Sequence, residues 1–224
     1  MEKLEFRTLT ADEIECRVGT VTEKGVSLLM YKDARVDMKL LDEVVGPMNW
    51  KRDHELINGN LFCTVSISDE QGNWVSKQDV GVESNTEKEK GQASDAFKRA
   101  CVNWGIGREL YTCPFVWVNL AAEEWRTGFN GKKQPRTRFS VSAIEYLDRN
   151  VSYLQVVDDA GRVRYCYGNS MQLQEKRGKA IGEVMKAGTR QEIERIYRAY
   201  PELKNDQQLI DACTERTREL SEAA

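Results

Sequence analysis

The stretch SDAFKRACVNWGIGRELY, residues 94–111, sets Lys98 and Arg99 side by side, with Arg108 and Tyr111 a few residues further on. Adjacent cations of this kind hold phosphate or carboxylate and perform no covalent chemistry by themselves. A second stretch, WRTGFNGKKQPRTRF at 125–139, carries Arg126, Lys132, Lys133, Arg136 and Arg138 and no acidic residue. Interleaved with Trp125 and Phe129, these cations suit a surface that tracks a nucleic-acid backbone and stacks on its bases, used to capture or hold a strand. The alternative for this stretch is a flexible, solubilising hairpin.

Other chemistries lack their residues. There is no GxxxxGK[ST] phosphate loop, no GxSxG and no HExxH. One histidine, His54, and six cysteines at 16, 63, 101, 113, 166 and 213 without CxxC spacing do not make a zinc site. Asp79, Glu83 and Asp95 are carboxylates that a metal-dependent nuclease would need, yet they are scattered among solvated positions. No cofactor and no catalytic centre are expected. Several cysteines lie in apolar stretches and read as buried free thiols, which implies a reducing cytoplasm. MEKLEFRTLT has no apolar signal core, and no apolar run has the length of a membrane span, so no membrane partner is expected.

The elements that must position the cations follow from periodicity and turn chemistry. Thr10 with Glu13 reads as a capping box opening a short helix, followed by β-prone runs around 16–22 and 26–31 with a turn at Glu23-Lys24-Gly25 between them. Val36, Leu40, Leu41, Val44 and Val45 have helical spacing, ended by Gly46-Pro47. Asn58-Gly59 is the favoured type I′ dipeptide, and Leu61, Cys63, Val65 and Ile67 alternate after it. A three-stranded antiparallel meander is expected over roughly 50–83. A helix over 86–104 opens on a Thr86/Glu89 capping box, carries a stripe of Ala93, Ala96, Phe97, Ala100, Cys101 and Trp104, and stops at Gly105. At 100° per residue, Lys88 and Arg99 lie nearly opposite Phe97, and Lys98 lies to one side. That face reads either as a binding surface or as a solvated one in which Asp95 pairs with Arg99 across one turn.

TCPFVWVNL reads as a strand and VSYLQVVDDAGRVRYCY as a hairpin. From about residue 170 the pattern turns helical, with a third capping box at Thr189/Glu192 and a break at Pro201. The fold class is therefore α+β: an antiparallel three-to-five-stranded sheet packed on a long helix, a βββα core, with a small helical tail. Residues 1–168 form the main domain and 169–224 the tail.

The motifs YKDARVDMKLLDEVVGPMNW, GNLFCTVSI, WVSKQDVGVESN, EKGQASDAFKRACVNWGIGRELY and PFVWV, in that order across roughly residues 10–120, resemble the Sak-type single-strand annealing proteins of bacteriophages. These are similar in turn to the annealing domain of the eukaryotic recombination protein Rad52 and to a bacterial DNA end-protection protein. The resemblance implies an ATP-independent protein that forms a homo-oligomeric ring, holds single-stranded DNA in a basic groove and lets complementary strands pair. By position it makes Lys98 and Arg99 phosphate-binding residues. It sets a further family arginine on or beside Arg35. Another falls on Val102, so this chain lacks it, and Arg108 is a candidate substitute. A single-strand-binding protein and an exonuclease are the partners it suggests, in a bacterial host cell.

The formal net charge of −3 is compatible with this, because a ring repeats a modest basic groove many times while its outer surface stays acidic. Four readings remain on the sequence: an annealing protein, an end-protecting DNA binder that does not anneal, a metal-dependent nuclease, and an oligomeric scaffold.

Overall fold

The computed structural model describes residues 4–82, 88–128, 131–204 and 206–222. Thr86, and with it the expected capping box at the start of the long helix, lies outside the described residues, as do Glu83 and the ring of Phe129. The chain divides into two compact units, Met1–Tyr167 and Gly168–Ala224.

In the first unit a single 3-10 turn, Ala11–Glu13, replaces the short helix expected there. The Thr10 N–H donates to Glu13 Oε2 at 3.1 Å. Arg7 and Lys39 converge on the same carboxylate, and the hydrogen bond from Arg7 above all holds Glu13 far below the usual carboxylate range. Strands β1 (Glu15–Val21) and β2 (Gly25–Tyr31) form a hairpin, and α1 (Ala34–Val45) follows, capped by Asp33 accepting from the Arg35 N–H.

The meander is β3 (Trp50–Ile57), β4 (Asn60–Ser68) and β5 (Trp74–Val80). Asn58 and Gly59 take φ +50° and +79°, the mirror-image turn whose twist matches the flanking strands, and Ile57 faces Asn60 across it. Helix α2 (Lys88–Trp104) shares one core with β4: Cys63, Val65 and Ile67 are buried together with Ala96, Phe97, Ala100 and Cys101. Trp50 stacks on Phe97 at 6.1 Å, and Trp104 Nε1 donates to the Val65 carbonyl at 3.1 Å. A Cβ at Gly81 would lie 2.2 Å from the Gln92 carbonyl oxygen, so only glycine lets the chain leave β5 this close to the helix. The helix ends at Gly105, φ +100°, with the Ile106 N–H returning to the Cys101 carbonyl.

Beyond α2 come β6 (Val116–Asn119), the short hairpin strands β7 (Trp125–Thr127) and β8 (Lys133–Pro135), then β9 (Phe139–Leu147), β10 (Asn150–Asp158) and β11 (Val163–Gly168). Here the structure corrects the sequence reading of three to five strands. The largest sheet has six, in the order β11-β10-β9-β1-β2-β6, while the meander forms a separate sheet and β7–β8 a third. The alternation of Phe139 and Val141, buried, with Ser140 and Ser142, exposed, is present in the sequence. Membership of one sheet is decided by pairing over long separations, as where β6 joins β2. One junction is minimal: β1 meets β9 at the single pair Glu15↔Ser140.

The second unit holds α3 (Met171–Lys186), α4 (Arg190–Ala199) and α5 (Gln207–Glu222) around Ala180, Val184, Ile193, Leu203 and Leu209. Ser170 and Thr189 cap α3 and α4 by accepting from the Leu173 and Glu192 N–H groups. The Thr189 capping box is only half formed, because Glu192 Oε2 accepts instead from the Gly188 N–H at 2.8 Å. Pro201 opens a 3-10 turn, Pro201–Leu203, and Arg177 is tied to Asp206 at 2.7 Å. Among the described residues, no helix is long and apolar enough to cross a membrane.

Candidate nucleic-acid interface

With its apolar stripe turned into the core, α2 leaves Lys98 and Arg99 half-exposed along one side of a groove of about 820 Å³. The opposite wall is the outer face of the β1–β2 hairpin, which supplies Arg17, Leu29 and Tyr31, and the turn after α2 closes the groove with Tyr111. Arg17 and Leu29 are a cross-strand pair, and Tyr31 lies two residues along the same face. Lys98 Nζ sits 6.0 Å from the centre of the Tyr31 ring. The Tyr31 hydroxyl donates to the Glu15 carboxylate, and this bond, with burial, pushes the phenol up to about 12.

Arg99 Nε lies 3.3 Å from Asp79 Oδ1 on β5, and Asn103 donates to the other oxygen of that carboxylate at 3.4 Å. The one-turn pair with Asp95 weighed from the sequence does not form: Asp95 Oδ2 accepts from the Val82 N–H at 3.0 Å and fastens the exit of β5 to α2. Arg99 is thus aimed by a carboxylate on the neighbouring sheet, half-exposed and able to exchange that partner for a phosphate.

Beneath the groove lies a buried ion pair, Lys32 with Asp37, at 4% and 0% side-chain exposure. Gly107, φ +69°, makes room for it, since a Cβ there would fall 2.2 Å from Lys32 Cε. Burial pushes the Asp37 carboxyl up to about 6 against the opposing pull of Lys32. Chemically the groove offers cations and phenol rings. It can hold a phosphodiester backbone and stack bases, and among its lining residues there is no activated nucleophile. Tyr111 is 72% exposed. An exposed Phe115 stacks on Trp117 at 6.4 Å, and Trp117 faces Ser27 on β2, two residues from Leu29, so aromatic surface continues beyond the groove.

The other sequence candidates are not brought into this groove. Lys88 is the first residue of α2, exposed and away from the lining. Arg35 opens α1 with its side chain 87% exposed, 3.8 Å from Asp33. Arg108 does not replace the arginine missing at Val102: its guanidinium donates to the Val102 and Asn103 carbonyls at 2.9 and 3.2 Å, capping the C-terminus of α2. Arg126, Lys132, Lys133 and Arg138 line a different cleft, along β1. Arg136 Nε is engaged by the Trp125 carbonyl at 2.7 Å. Trp125 itself is 7% exposed and belongs to the core instead of offering a ring to bases, with Lys133 Nζ 4.9 Å above it. Arg17 and Tyr31 were missed. Their signal was the period of two along β1 and β2, legible only once the hairpin register is known.

Among the described residues, no group of three or more histidine, cysteine, aspartate or glutamate side chains is placed to hold a metal ion. The family model for Rad52/22 family double-strand break repair proteins matches residues 1–129, which takes in both walls of the groove. A protein named single-stranded DNA-binding protein DdrA from Deinococcus radiodurans is 36% identical over 98 residues, 41% of this chain and 44% of its own. One of the same name from Deinococcus deserti is 34% identical over 116 residues, 48% of this chain and 55% of its own. The chain spans about half the length of the curated relatives it matches.

Proposed function

The chain belongs to the Rad52/22 family of double-strand break repair proteins, and on that premise we propose that it binds single-stranded DNA by its backbone along the groove of Lys98, Arg99 and Arg17. It is a binding protein, not an enzyme. The observation that carries the reading is the convergence of these three cations with Tyr31 and Tyr111 on one open groove within the matched region. Phosphate contacts position a strand while leaving its base edges free, which is what pairing with a second strand requires. The protein anneals complementary strands without ATP, as a homo-oligomeric ring, in recombination of the Sak type in a phage or prophage. It works in the cytoplasm of the bacterial host, beside a single-strand-binding protein and an exonuclease. Residues 1–168 bind DNA and assemble, and 169–224 dock a partner.

The test takes one labelled strand, adds the protein without ATP or metal, then adds the complement. Accelerated duplex formation is expected. Binding without acceleration would leave the second reading, an end-protecting binder that does not anneal. A shortened strand would overturn both in favour of a nuclease. For the tail, a chain ended after residue 168 is expected to anneal naked strands and to fail on strands coated by a binding protein. Loss of assembly on truncation would instead make the tail part of the fold.

A further inference from the structure

Strand β1 pairs with β2 along its length but leaves β9 after the pair Glu15↔Ser140. Over residues 16–21 its second edge has no strand partner among the described residues. The hairpin β7–β8 stands across from that edge and encloses a cleft of about 650 Å³. Cys16, Val18 and Phe139 give the cleft apolar surface, and Arg17, Arg126 and Arg138 give it charge. Among the described residues, no hydrogen bond or ion pair engages the side chains of these three arginines.

We propose that this cleft binds an acidic polypeptide segment in extended form, added as a strand to the free edge of β1. Three features select a peptide over a nucleic acid. A strand edge presents both N–H and C=O groups, which a second peptide satisfies in alternation, whereas a phosphodiester only accepts. The floor is apolar and suits every second side chain of a strand. No exposed aromatic ring lines it among the described residues, since Phe139 is buried, so bases have no platform here. The arginines then select carboxylates on the alternate positions. Arg17 lines this cleft and the DNA groove alike, so the two ligands meet at one side chain.

The inference stands apart from the DNA reading and is tested on the full chain. The probe is a fluorescent peptide of about ten residues alternating glutamate with valine or leucine, followed by anisotropy. Saturable binding is expected, weakened by about tenfold or more in Arg126→Ser/Arg138→Ser. The same variant keeps its affinity for single-stranded DNA within about twofold, which also reports an intact fold. A peptide with proline at alternate positions, which lacks the N–H groups, is expected not to bind. No binding of the parent peptide at about 100 μM overturns the proposal. So does equal binding of the proline peptide, which would leave charge attraction alone. A matching loss of DNA affinity in the arginine variant would assign the cleft to DNA, and dissociation of protein oligomers by the peptide would assign it to a second copy of the chain.

Discussion

Two basic stretches of this chain, Lys98-Arg99 on α2 and residues 126–138 around the β7–β8 hairpin, look alike in composition and sit on surfaces of different kinds. The first lies on a helix whose opposite face is fully buried, above a buried ion pair and between two tyrosines. The second lines a strand edge that is unpaired among the described residues, with apolar residues beneath it. Cations alone do not name a ligand. What stands beside them does: rings and a helix side accept a phosphodiester strand, and a free peptide edge accepts a peptide.

The largest effect expected on this contrast comes from under the first surface. Asp37 is raised in the fold from an ordinary 3.8 to about 6, first by burial, so its contribution to stability is present below about pH 4 and is lost as pH rises through about 6. That value already includes the opposing pull of Lys32, without which burial would raise it further. Lys32→Met leaves the carboxylate buried and unpaired, and is expected to cost about 3 kcal/mol at about pH 8 and clearly less at about pH 5, measured by denaturant unfolding. Equal cost at both values would mean that the pair does not support the groove floor as an ion pair.

Next in size, Lys98→Ala/Arg99→Ala should lower single-strand affinity by about tenfold or more, and its log–log salt slope by about 0.7 for each lost contact, roughly 1.4 for the pair. Unfolding should be nearly unchanged, because neither side chain is in the core. Wild-type affinity and slope in this variant would reduce the first surface to a solvated helix face. Tyr111→Ala should cost about 1 to 2 kcal/mol of strand binding if the ring stacks on a base, read from titrations with short oligonucleotides. No change there would confine the first surface to backbone contacts.

The smallest effect has the opposite sign. Asp79→Asn removes the charge that holds Arg99 at 3.3 Å, and single-strand affinity should rise about two- to threefold at low salt, the scale of a half-exposed ion pair. A fall in affinity would show that Asp79 positions Arg99 instead of competing for it.

Much of the frame was legible in the residues. Asn58-Gly59 specified its turn, Gly105 the end of α2, and the spacing from Ala96 to Trp104 the side of the helix that is buried, hence the side on which Lys98 and Arg99 emerge. These signals act within a few residues, where backbone sterics and helical period are enough. The strand Phe139–Leu147 alternates as a strand should, and its hairpin partner β10 follows it directly; what its residues do not carry is the junction to the rest of the large sheet, the remote pair Glu15↔Ser140.

The sequence by itself determined the local elements, the apolar stripe of α2, the outward cations and the family resemblance. Tertiary structure alone decided that Arg17 and Tyr31 face Lys98, that Arg108 is taken up by helix carbonyls, that Trp125 is core, and that β1 meets β9 at one pair only, leaving the rest of that edge open among the described residues. The physical reason is range. Turn and helix preferences are set by a residue and its near neighbours, whereas the walls of a groove come from strands whose pairing is fixed only when the whole core is packed.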